Sequence, residues 1–587
     1  MREIICTCLV APKKKNSIYL GDWAIKDSEI LDYKKKKVLG FIWKKNSLFI
    51  KDSIVIRKII IQLYQKLSLS LNKTHNINYS KKFWKLLIYP WIYNYISALY
   101  FRWQCINKIK KKNNLFIFIK NLKFERNNRT NNLNLLANDI WNQKIFQEIV
   151  LFQKKNYINR GVEKKNNFKK KKFFLTFIFS LIPNFIISQI NYFIGLLKTK
   201  EFFFLNTCYL SKISIFSFLR KYSFDFFYKI FLRRINTLLI QSGDSKIELM
   251  HSFSFFFKEF YLPKTRFEKF LIKKIIDDIP TSLVEDFDNY LNRCIKLRDS
   301  KIILTSYSLF EMTFDKFYLA EQANKGSAIY LIEHGGSLAT KKEHLDLETS
   351  VVDKKLTWFK PLIKKHFQLP THPYHYLNLR KKNIDKKNKD IIILGPGDFK
   401  HVYNCSFRLK SSRLLGVMYD INKFYTFLNS NIKKKVTIKP HPGKFNKNEI
   451  FNFMKFYKRI FNKNIVKESS LINALKKARI IVCTYAETNF ALSMYSSVPT
   501  ILVYNKEDYI FHNKTISLIK DLEKNKIIFY DPVKAAKHIN EIYDHPEVWY
   551  NSTEVKKVRN EFLKIALGII NPRDVDKEKN NWKKILN

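Results

Sequence analysis

The chain has 587 residues, a length that corresponds to several domains, and 46% of them are hydrophobic, which excludes intrinsic disorder as its overall state. Its 107 Lys and Arg residues outnumber 50 Asp and Glu, so the net charge is +57. Lys, Asn, Ile, Phe and Tyr are abundant and Gly (13) is scarce, a skew that drift in nucleotide composition produces. The charge is therefore weak evidence for a partner, and nucleic acid is not expected as one. A Gly cluster that survives such drift marks a position where the backbone needs it.

The seven cysteines are scattered and form no CxxC pair, so we expect neither a disulfide framework nor a cysteine-based metal site, and a reducing compartment is favoured. Residues 1–12 lack the basic region and cleavage site of a signal peptide and predict a first β-strand. The most apolar stretch, 173–197, contains Pro183, Asn184 and further polar residues. Such residues are expensive in hydrocarbon, so we interpret this stretch as a buried helix or as a helix on a membrane surface.

Secondary structure is easiest to predict in the second half of the chain. Upstream of residue 290 the sequence is helical and aromatic, with long helical patterns at 53–70 and 84–109. Between 290 and 360, a helical pattern at 309–322 lies between strand patterns at 301–305 and 327–333. After a charged stretch, 380–389, the predicted strands cover 390–394, 435–439, 480–484, 500–504 and 527–530. The predicted helices among and after them cover 414–428, 449–459, 470–477, 488–496, 517–522, 533–542 and 555–567.

This alternation of strands and helices predicts an α/β protein with parallel sheets. We predict two facing Rossmann-like domains joined by a linker at 380–389. The first covers 1–379 and carries a large helical, aromatic-rich insertion, and the second covers 390–587 and ends with a closing helix. Ligands of such sheets bind at the carboxyl ends of the strands, so motifs at those ends are the candidates for chemistry.

The first candidate motif is Glu333-His334-Gly335-Gly336, at the end of a predicted strand. Two adjacent glycines let the backbone approach a ligand closely and present N–H groups to an anion. A histidine at this place can act as a general base, because its pKa lies near neutrality. The alternative is that His334 is a buried, hydrogen-bonded residue of a turn.

The second candidate is Lys439-Pro440-His441-Pro442, which follows another predicted strand. Its prolines restrict the loop, while Lys439 and His441 offer cationic donors that suit a phosphate. The alternative is a rigid turn that carries two incidental basic residues.

The third candidate is the segment Thr484-Tyr485-Ala486-Glu487-Thr488, between a strand and a helix. Hydroxyl groups and free N–H groups at a helix amino terminus form a phosphate site, which the helix dipole strengthens. The alternative is an ordinary helix cap with nothing bound, in which Thr484 or Thr488 supplies the capping oxygen.

Together these motifs resemble a family of transferases from bacterial surface-carbohydrate gene clusters, and the resemblance covers nearly the whole chain. It implies a fold similar to GT-B glycosyltransferases, with no metal and no cofactor besides a nucleotide-activated donor. We expect Gly335, Gly336, Glu343, Glu348 and Asp353 to bind substrate. The motifs that carry the resemblance are Glu333–Gly336, Glu343, Glu348, Asp353-x3-Thr357-Trp358, Tyr19-Leu20-Gly21-Asp22-Trp23, Trp84-x5-Pro90-Trp91, Thr488–Pro499 and Trp549–Arg559.

A more distant likeness is to polymerases that use CDP-glycerol and to capsule transferases that use CMP-activated sugars. It implies that His334 is the base and that His441 and Thr488 hold the donor phosphate. We assign Lys439, Thr484 and Glu487 to the same phosphate site. GT-B donor domains commonly bind the ribose through a Glu seven residues before the Pro, where this chain has Leu492. Either Glu487 replaces that Glu, or the donor is bound differently, or activity has been lost.

These expectations combine into one function. The chain would transfer a sugar or sugar-like group from a nucleotide-sugar or nucleotide-polyol donor to a glycan or lipid-linked acceptor of a surface polysaccharide. It would act in the cytoplasm, at the inner face of the cell membrane, in peripheral contact with anionic lipid. The alternative is a non-catalytic basic protein that associates with membranes or nucleic acid.

Overall fold

A computed structural model shows an α/β protein whose described strands form three sheets, and every strand pair in them is parallel. The predicted linker at 380–389 and the apolar stretch at 173–197 lie outside the described residues. The structure describes residues 2–110, 114–122, 133–160, 202–205, 247–295, 299–306, 308–311, 313–333, 335, 347–369, 390–397, 400–402, 413–441, 453–461 and 471–567.

The first sheet has four strands in the order β2-β1-β3-β4. The predicted first strand and both long helices are confirmed, and the helices are longer than the sequence pattern indicated. The elements of this region are β1 (Arg2–Ile5), β2 (Ile18–Tyr19), α1 (Asn46–Thr74), α2 (Lys81–Asn107), β3 (Asn114–Ile119), α3 (Leu133–Ala137), α4 (Asp139–Phe152) and β4 (Tyr157–Arg160).

The second sheet has five strands in the order β5-β6-β7-β8-β9. The helix predicted at 309–322 corresponds to two helices, Ser308–Glu311 and Thr313–Asn324, which lie on either side of residue 312, a residue outside the described ranges. The elements of this region are β5 (Phe202–Leu205), α5 (Ile247–Phe260), α6 (Arg266–Asp278), α7 (Phe287–Ile295), β6 (Ile302–Thr305), α8 (Ser308–Glu311), α9 (Thr313–Asn324), β7 (Ala328–Ile332), α10 (Leu347–Val351), β8 (Lys354–Thr357) and β9 (His366–Gln368).

The third sheet has five strands in the order β11-β10-β12-β13-β14, and it confirms the alternation predicted for this part of the chain. The elements are β10 (Asp390–Leu394), α11 (Leu414–Thr426), α12 (Ser430–Lys433), β11 (Val436–Lys439), α13 (Phe453–Phe461), α14 (Leu471–Lys477), β12 (Ala478–Cys483), α15 (Thr488–Tyr495), β13 (Thr500–Val503), α16 (Ile516–Lys524), β14 (Ile528–Phe529), α17 (Pro532–Ile542), α18 (Pro546–Tyr550) and α19 (Thr553–Ala566). Short 3-10 helices cover Asp22–Ala24, Asp27–Lys35, Thr281–Leu283, Lys506–Asp508 and Asn513–Thr515.

The region before residue 370 differs from the prediction, because it contains two parallel sheets where the sequence indicated one. The strands β3, β4 and β5 have six, four and four residues. Runs this short and this aromatic do not differ from segments of the surrounding helices in their hydrophobic pattern. The long helices predicted as an insertion do occur, and they lie between β2 and β3.

Helix α2 lies at the centre of the amino-terminal core. It begins at Ser80, whose hydroxyl accepts a hydrogen bond from the Phe83 N–H at 3.2 Å. Nearly all of its residues are buried, Pro90 and Trp91 included, and it contacts α1, α4 and α9. A helix that is buried on nearly every side needs packing partners all around it. The residues of the motif Trp84-x5-Pro90-Trp91 are part of this buried surface.

The second and third sheets share one hydrophobic cluster, to which Ile332 and Leu356 contribute from one side and Leu394 and Ile481 from the other. The last described helix, α19, also reaches the second sheet's side of this cluster, because the Lys360 N–H donates to the Ile565 carbonyl at 3.0 Å. None of the helices in the described part of the chain is both long enough and apolar enough to cross a membrane.

Candidate active site

The carboxyl ends of β10, β11 and β12 lie side by side in the third sheet, and hydrogen bonds join the loops that follow them. The Gly395 N–H donates to the Lys439 carbonyl at 2.9 Å, and the Thr484 hydroxyl donates to the Leu394 carbonyl at 2.7 Å. A Cβ on Gly397 would lie 2.5 Å from His441 Cβ and Cγ, so only glycine fits beside that ring. The predicted second and third motifs therefore lie at one edge of one sheet.

The segment from Thr484 to Thr488 forms the turn between β12 and α15. The Ala486 N–H donates to the Tyr509 hydroxyl at 3.0 Å, which holds the turn on buried aromatic side chains. Burial first, and then the Glu487 carboxylate, raise the pKa of Tyr509 well above its ordinary value, so this tyrosine stays protonated. Thr488 is the first residue of α15, and its side chain is half-buried. The Thr484 hydroxyl bonds a backbone carbonyl, whereas Thr488 lies where the α15 dipole favours an anion.

Two basic residues lie at and just after the end of β11: Lys439 is its last residue and His441 follows two residues later. Lys439 is buried, and the His441 ring packs against Gly397. The pKa of His441 lies below its ordinary value, because neighbouring atoms displace water from the ring and because Lys439 is positively charged. The lower pKa favours the neutral imidazole, which can both donate and accept a hydrogen bond.

The second sheet brings its own strand end to the same place. Glu333 follows β7, and its N–H donates to the Leu356 carbonyl at 2.8 Å. A Cβ on Gly335 would lie 2.8 Å from the Thr488 hydroxyl oxygen, so the Gly335 backbone is in contact with the amino terminus of α15. The predicted first and third motifs thus meet across the two sheets. His334, Gly336 and Glu343 lie outside the described residues.

An ion cluster that the sequence did not predict lies directly behind the first motif. The Lys355 ammonium is 2.6 Å from a Glu348 carboxylate oxygen and 3.5 Å from a Glu333 carboxylate oxygen, and all three residues are buried. Buried charges that keep their ionised form need such partners. Glu348 therefore supports, through Lys355 of β8, the end of β7 at Glu333. Its contact with Lys355 does not indicate a substrate.

Asp353 lies at the opposite edge of the second sheet, because it precedes β8 and the first motif follows β7. The strand between the two edges spans about 13 Å. The Asp353 carboxylate accepts from the Ile329 N–H at 2.8 Å and pairs with Lys82 of α2 at 2.9 Å. These contacts fasten the sheet to α2 and give Asp353 an anchoring role. Its contact with substrate stays a prediction.

Leu492, the position at which many GT-B donor domains have a Glu, is buried in the cluster shared by the second and third sheets. A carboxylate would not be tolerated there without a partner. Glu487 is half-buried at the start of α15, at the sheet edge where Thr488 lies. Glu487 is thus an acidic residue that lies at the candidate site.

A second buried cluster joins the first sheet to the loop after β10. The Asp139 carboxylate is 3.1 Å from the Lys400 ammonium, 2.8 Å from His401 Nε2 and 3.2 Å from Cys8 Sγ, which donates to it. Burial raises the pKa of Asp139, but the combined effect of Lys400 and His401 in the opposite direction is larger, so the pKa lies below its ordinary value. Burial lowers the pKa of His401 to about 4. The sequence offered no signal for this cluster, whose members come from three distant segments.

Further motifs of the resemblance have structural roles. A Cβ on Gly21 would overlap the Trp23 ring, and the Trp23 indole N–H donates to the Cys6 carbonyl at 2.9 Å. The Arg559 guanidinium lies over the Tyr550 ring, 3.6 Å from its centroid, and donates to the Tyr550 carbonyl at 2.8 Å. Among the residues of the described ranges, no group of three or more His, Cys, Asp or Glu side chains could hold a metal ion.

Comparison with known proteins adds one positive finding. No curated protein matches the chain. A family model described as "LIC12162 family transferase" matches residues 8–578, which is nearly the whole chain. The match confirms the predicted membership of a transferase family, and the chain therefore belongs to the LIC12162 family of transferases.

Proposed function

We propose that this transferase moves a sugar or sugar-like group from a nucleotide-activated donor to the acceptor end of a surface glycan. The observation that supports this most directly is the contact between Gly335 and Thr488. It brings Gly335, the described residue of the His-Gly-Gly motif after β7 of the second sheet, to a helix amino terminus on the third. A base on one side and phosphate donors on the other are what transfer from a nucleotide donor requires.

In this proposal the region before residue 370 binds the acceptor and the third sheet binds the donor, as in a GT-B enzyme. His334 takes the proton of the acceptor hydroxyl as that oxygen attacks the transferred group. Lys439, His441 and Thr488 hold the departing phosphate, and Glu487 contacts the ribose hydroxyls. The residues in these roles need no metal ion. The acceptor is a glycan or a lipid-linked glycan at the cytoplasmic face of the membrane.

The decisive experiment measures transfer by the wild type and by the variant His334→Gln, with a panel of cytidine and uridine nucleotide donors. Gln keeps a hydrogen-bonding head but cannot take a proton near neutral pH. Loss of a general base reduces rates typically by about 10²–10⁴-fold. His545 is exposed, so His545→Gln is a matched control that should keep the wild-type rate. Near-normal turnover by His334→Gln, or transfer lost only in proportion to unfolding, would contradict the assignment of the base.

A further inference from the structure

A large cavity lies away from the candidate active site, between α1, α2 and the start of α6. Its volume is about 760 Å³, which is within the range of about 300–1,000 Å³ typical of ligand pockets. Its wall is largely apolar, and Val55, Ile59, Tyr100, Trp103 and Phe267 contribute to it. The aromatic side is well packed, since the Phe267 ring centroid lies 5.2 Å from that of Tyr100 and 5.6 Å from that of Trp103.

The lining of this cavity includes exposed cationic residues. Lys58, Lys264 and Arg266 line it, and their side chains are exposed without an acidic partner among the described residues. The carboxylate in the lining belongs to Glu268, and its hydrogen bonds are local. It accepts from the Tyr261 hydroxyl at 3.0 Å, from the Lys264 N–H at 2.9 Å and from the Thr265 hydroxyl at 3.2 Å. A largely apolar cavity whose lining holds more cationic than acidic side chains suits a molecule with a hydrocarbon chain and an anionic head.

The outward face of α1, beside the cavity, has the same mixed character. Aliphatic side chains that are 39–49% exposed alternate there with exposed lysines: Leu48, Ile54, Val55, Ile61 and Leu69 with Lys51 and Lys58. The acidic residue of α1 is Asp52, whose carboxylate is turned inward and accepts from the Trp43 indole N–H at 2.8 Å and from the Tyr100 hydroxyl at 3.3 Å. Such a face can bury aliphatic area and attract anionic lipid, which are the two contributions that bind a helix to a membrane surface.

We propose that the outward face of α1 lies on the membrane surface and that the cavity takes up one anionic phospholipid from the bilayer. An acyl chain occupies the space against Ile59, Trp103 and Phe267, and the lipid phosphate is held by Lys58, Lys264 and Arg266. The purpose of this site rests on the proposed function, because it would hold the enzyme beside an acceptor carried in the membrane. The binding itself requires no turnover.

The first test measures sedimentation of the full chain with vesicles of phosphatidylglycerol and phosphatidylcholine, and with vesicles of phosphatidylcholine alone. The double variant Lys58→Glu/Arg266→Glu should bind the anionic vesicles at least about tenfold more weakly than the wild type, since each basic residue near such a surface contributes about 1 kcal/mol. Lys556→Glu/Lys557→Glu, which makes the same change of charge on exposed residues of α19, should weaken binding far less. Equal losses in the two double variants, or wild-type binding that does not depend on anionic lipid, would overturn the proposal.

A second test separates the cavity from the surface. Short-chain phosphatidylglycerol, kept below its micelle concentration, should raise the melting temperature of the wild type, whereas inorganic phosphate should not. Val55→Phe fills part of the cavity at a half-exposed position and should remove this shift without changing the charge. A shift that persists in Val55→Phe, or an equal one with phosphate, would show that no chain enters the cavity. Nucleotide binding should be normal in all these variants, so failure here leaves the proposed transferase site unaffected.

Discussion

Gly335 and Thr488 are in contact although they belong to different sheets: a Cβ on Gly335 would lie 2.8 Å from the Thr488 hydroxyl oxygen. Gly335 follows β7 and Thr488 begins α15, which follows β12. The carboxyl edges of the second and third sheets therefore meet at this contact. Because ligands of parallel sheets bind at these edges, this contact locates the candidate site.

We expect Gly335→Ala to destabilise the protein by about 1–3 kcal/mol, since a side chain forced into a filled space displaces its neighbours. Thr488→Ala removes the oxygen that the new Cβ would meet, so the double variant should be more stable than the sum of the single effects by about 0.5–3 kcal/mol. Urea unfolding of the four proteins measures this coupling. Gly40→Ala is the matched control, because no atom lies within 4 Å of a Cβ built there. Additive effects of the two substitutions would show that Gly335 and Thr488 do not touch.

Thr488 should matter for nucleotide binding more than for stability. A cytidine or uridine diphosphate that binds the folded protein raises the melting temperature by mass action. Thr488→Val keeps the shape of the side chain but removes its hydroxyl, so this shift should disappear while the unliganded melting temperature stays nearly unchanged. Thr426→Val, at an exposed threonine of α11, should leave the shift intact. A shift that survives in Thr488→Val would place the phosphate elsewhere.

Lys355 should be a strong contributor to stability. Removing one partner of a buried ion pair typically costs about 3–5 kcal/mol, and Lys355→Met takes the ammonium away from two carboxylates at once. Lys354→Met provides a matched control in the same strand, where the ammonium lies 4.7 Å from the Tyr330 ring centroid and contributes about 0.5–1 kcal/mol. Urea unfolding at neutral pH compares the two. Equal losses would mean that the Lys355 cluster does not hold the strand end.

Stability should fall between pH 7 and pH 5, in part because of His538. This histidine is buried between Phe529 and Trp549, and burial lowers its pKa to about 4. Below the unfolded pKa of about 6.5 the unfolded chain binds a proton that the folded chain does not, so stability decreases as the pH falls toward 4. At pH 5, about 1.5 units below the unfolded pKa, His538 lowers the free energy of unfolding by about 2 kcal/mol, since one unit corresponds to about 1.4 kcal/mol.

His538→Phe removes the titrating group and keeps an aromatic ring, so its stability should decline less between pH 7 and pH 5 than that of the wild type. Urea unfolding at both pH values measures the difference. Burial also lowers the pKa of His401 to about 4, and its protonation in the unfolded chain lowers stability in the same pH range. The variant His538→Phe should therefore keep part of the loss of stability between pH 7 and pH 5. The exposed His545 provides the control variant His545→Phe, which should keep all of it. An unchanged decline in His538→Phe would contradict a buried neutral imidazole.

The sequence by itself determined the class of fold and most elements of the third sheet. Its predicted strands at 390–394 and 500–504 correspond to β10 and β13. Such elements are readable because each shows its own apolar pattern within a few residues. The sequence also located the three motifs at strand ends.

Only the tertiary structure decided which of these motifs meet. Gly335 and Thr488 are far apart along the chain, Asp139 and His401 are separated by 262 residues, and β3, β4 and β5 are too short to be recognised before their partners are known. The ion pairs of Lys355 with Glu333 and Glu348 also depend on the tertiary structure, because they form only if all three side chains point to the same face of the sheet. Hydrophobic periodicity is a local property, whereas contacts between distant segments depend on how whole sheets pack, and a single sequence does not record that packing.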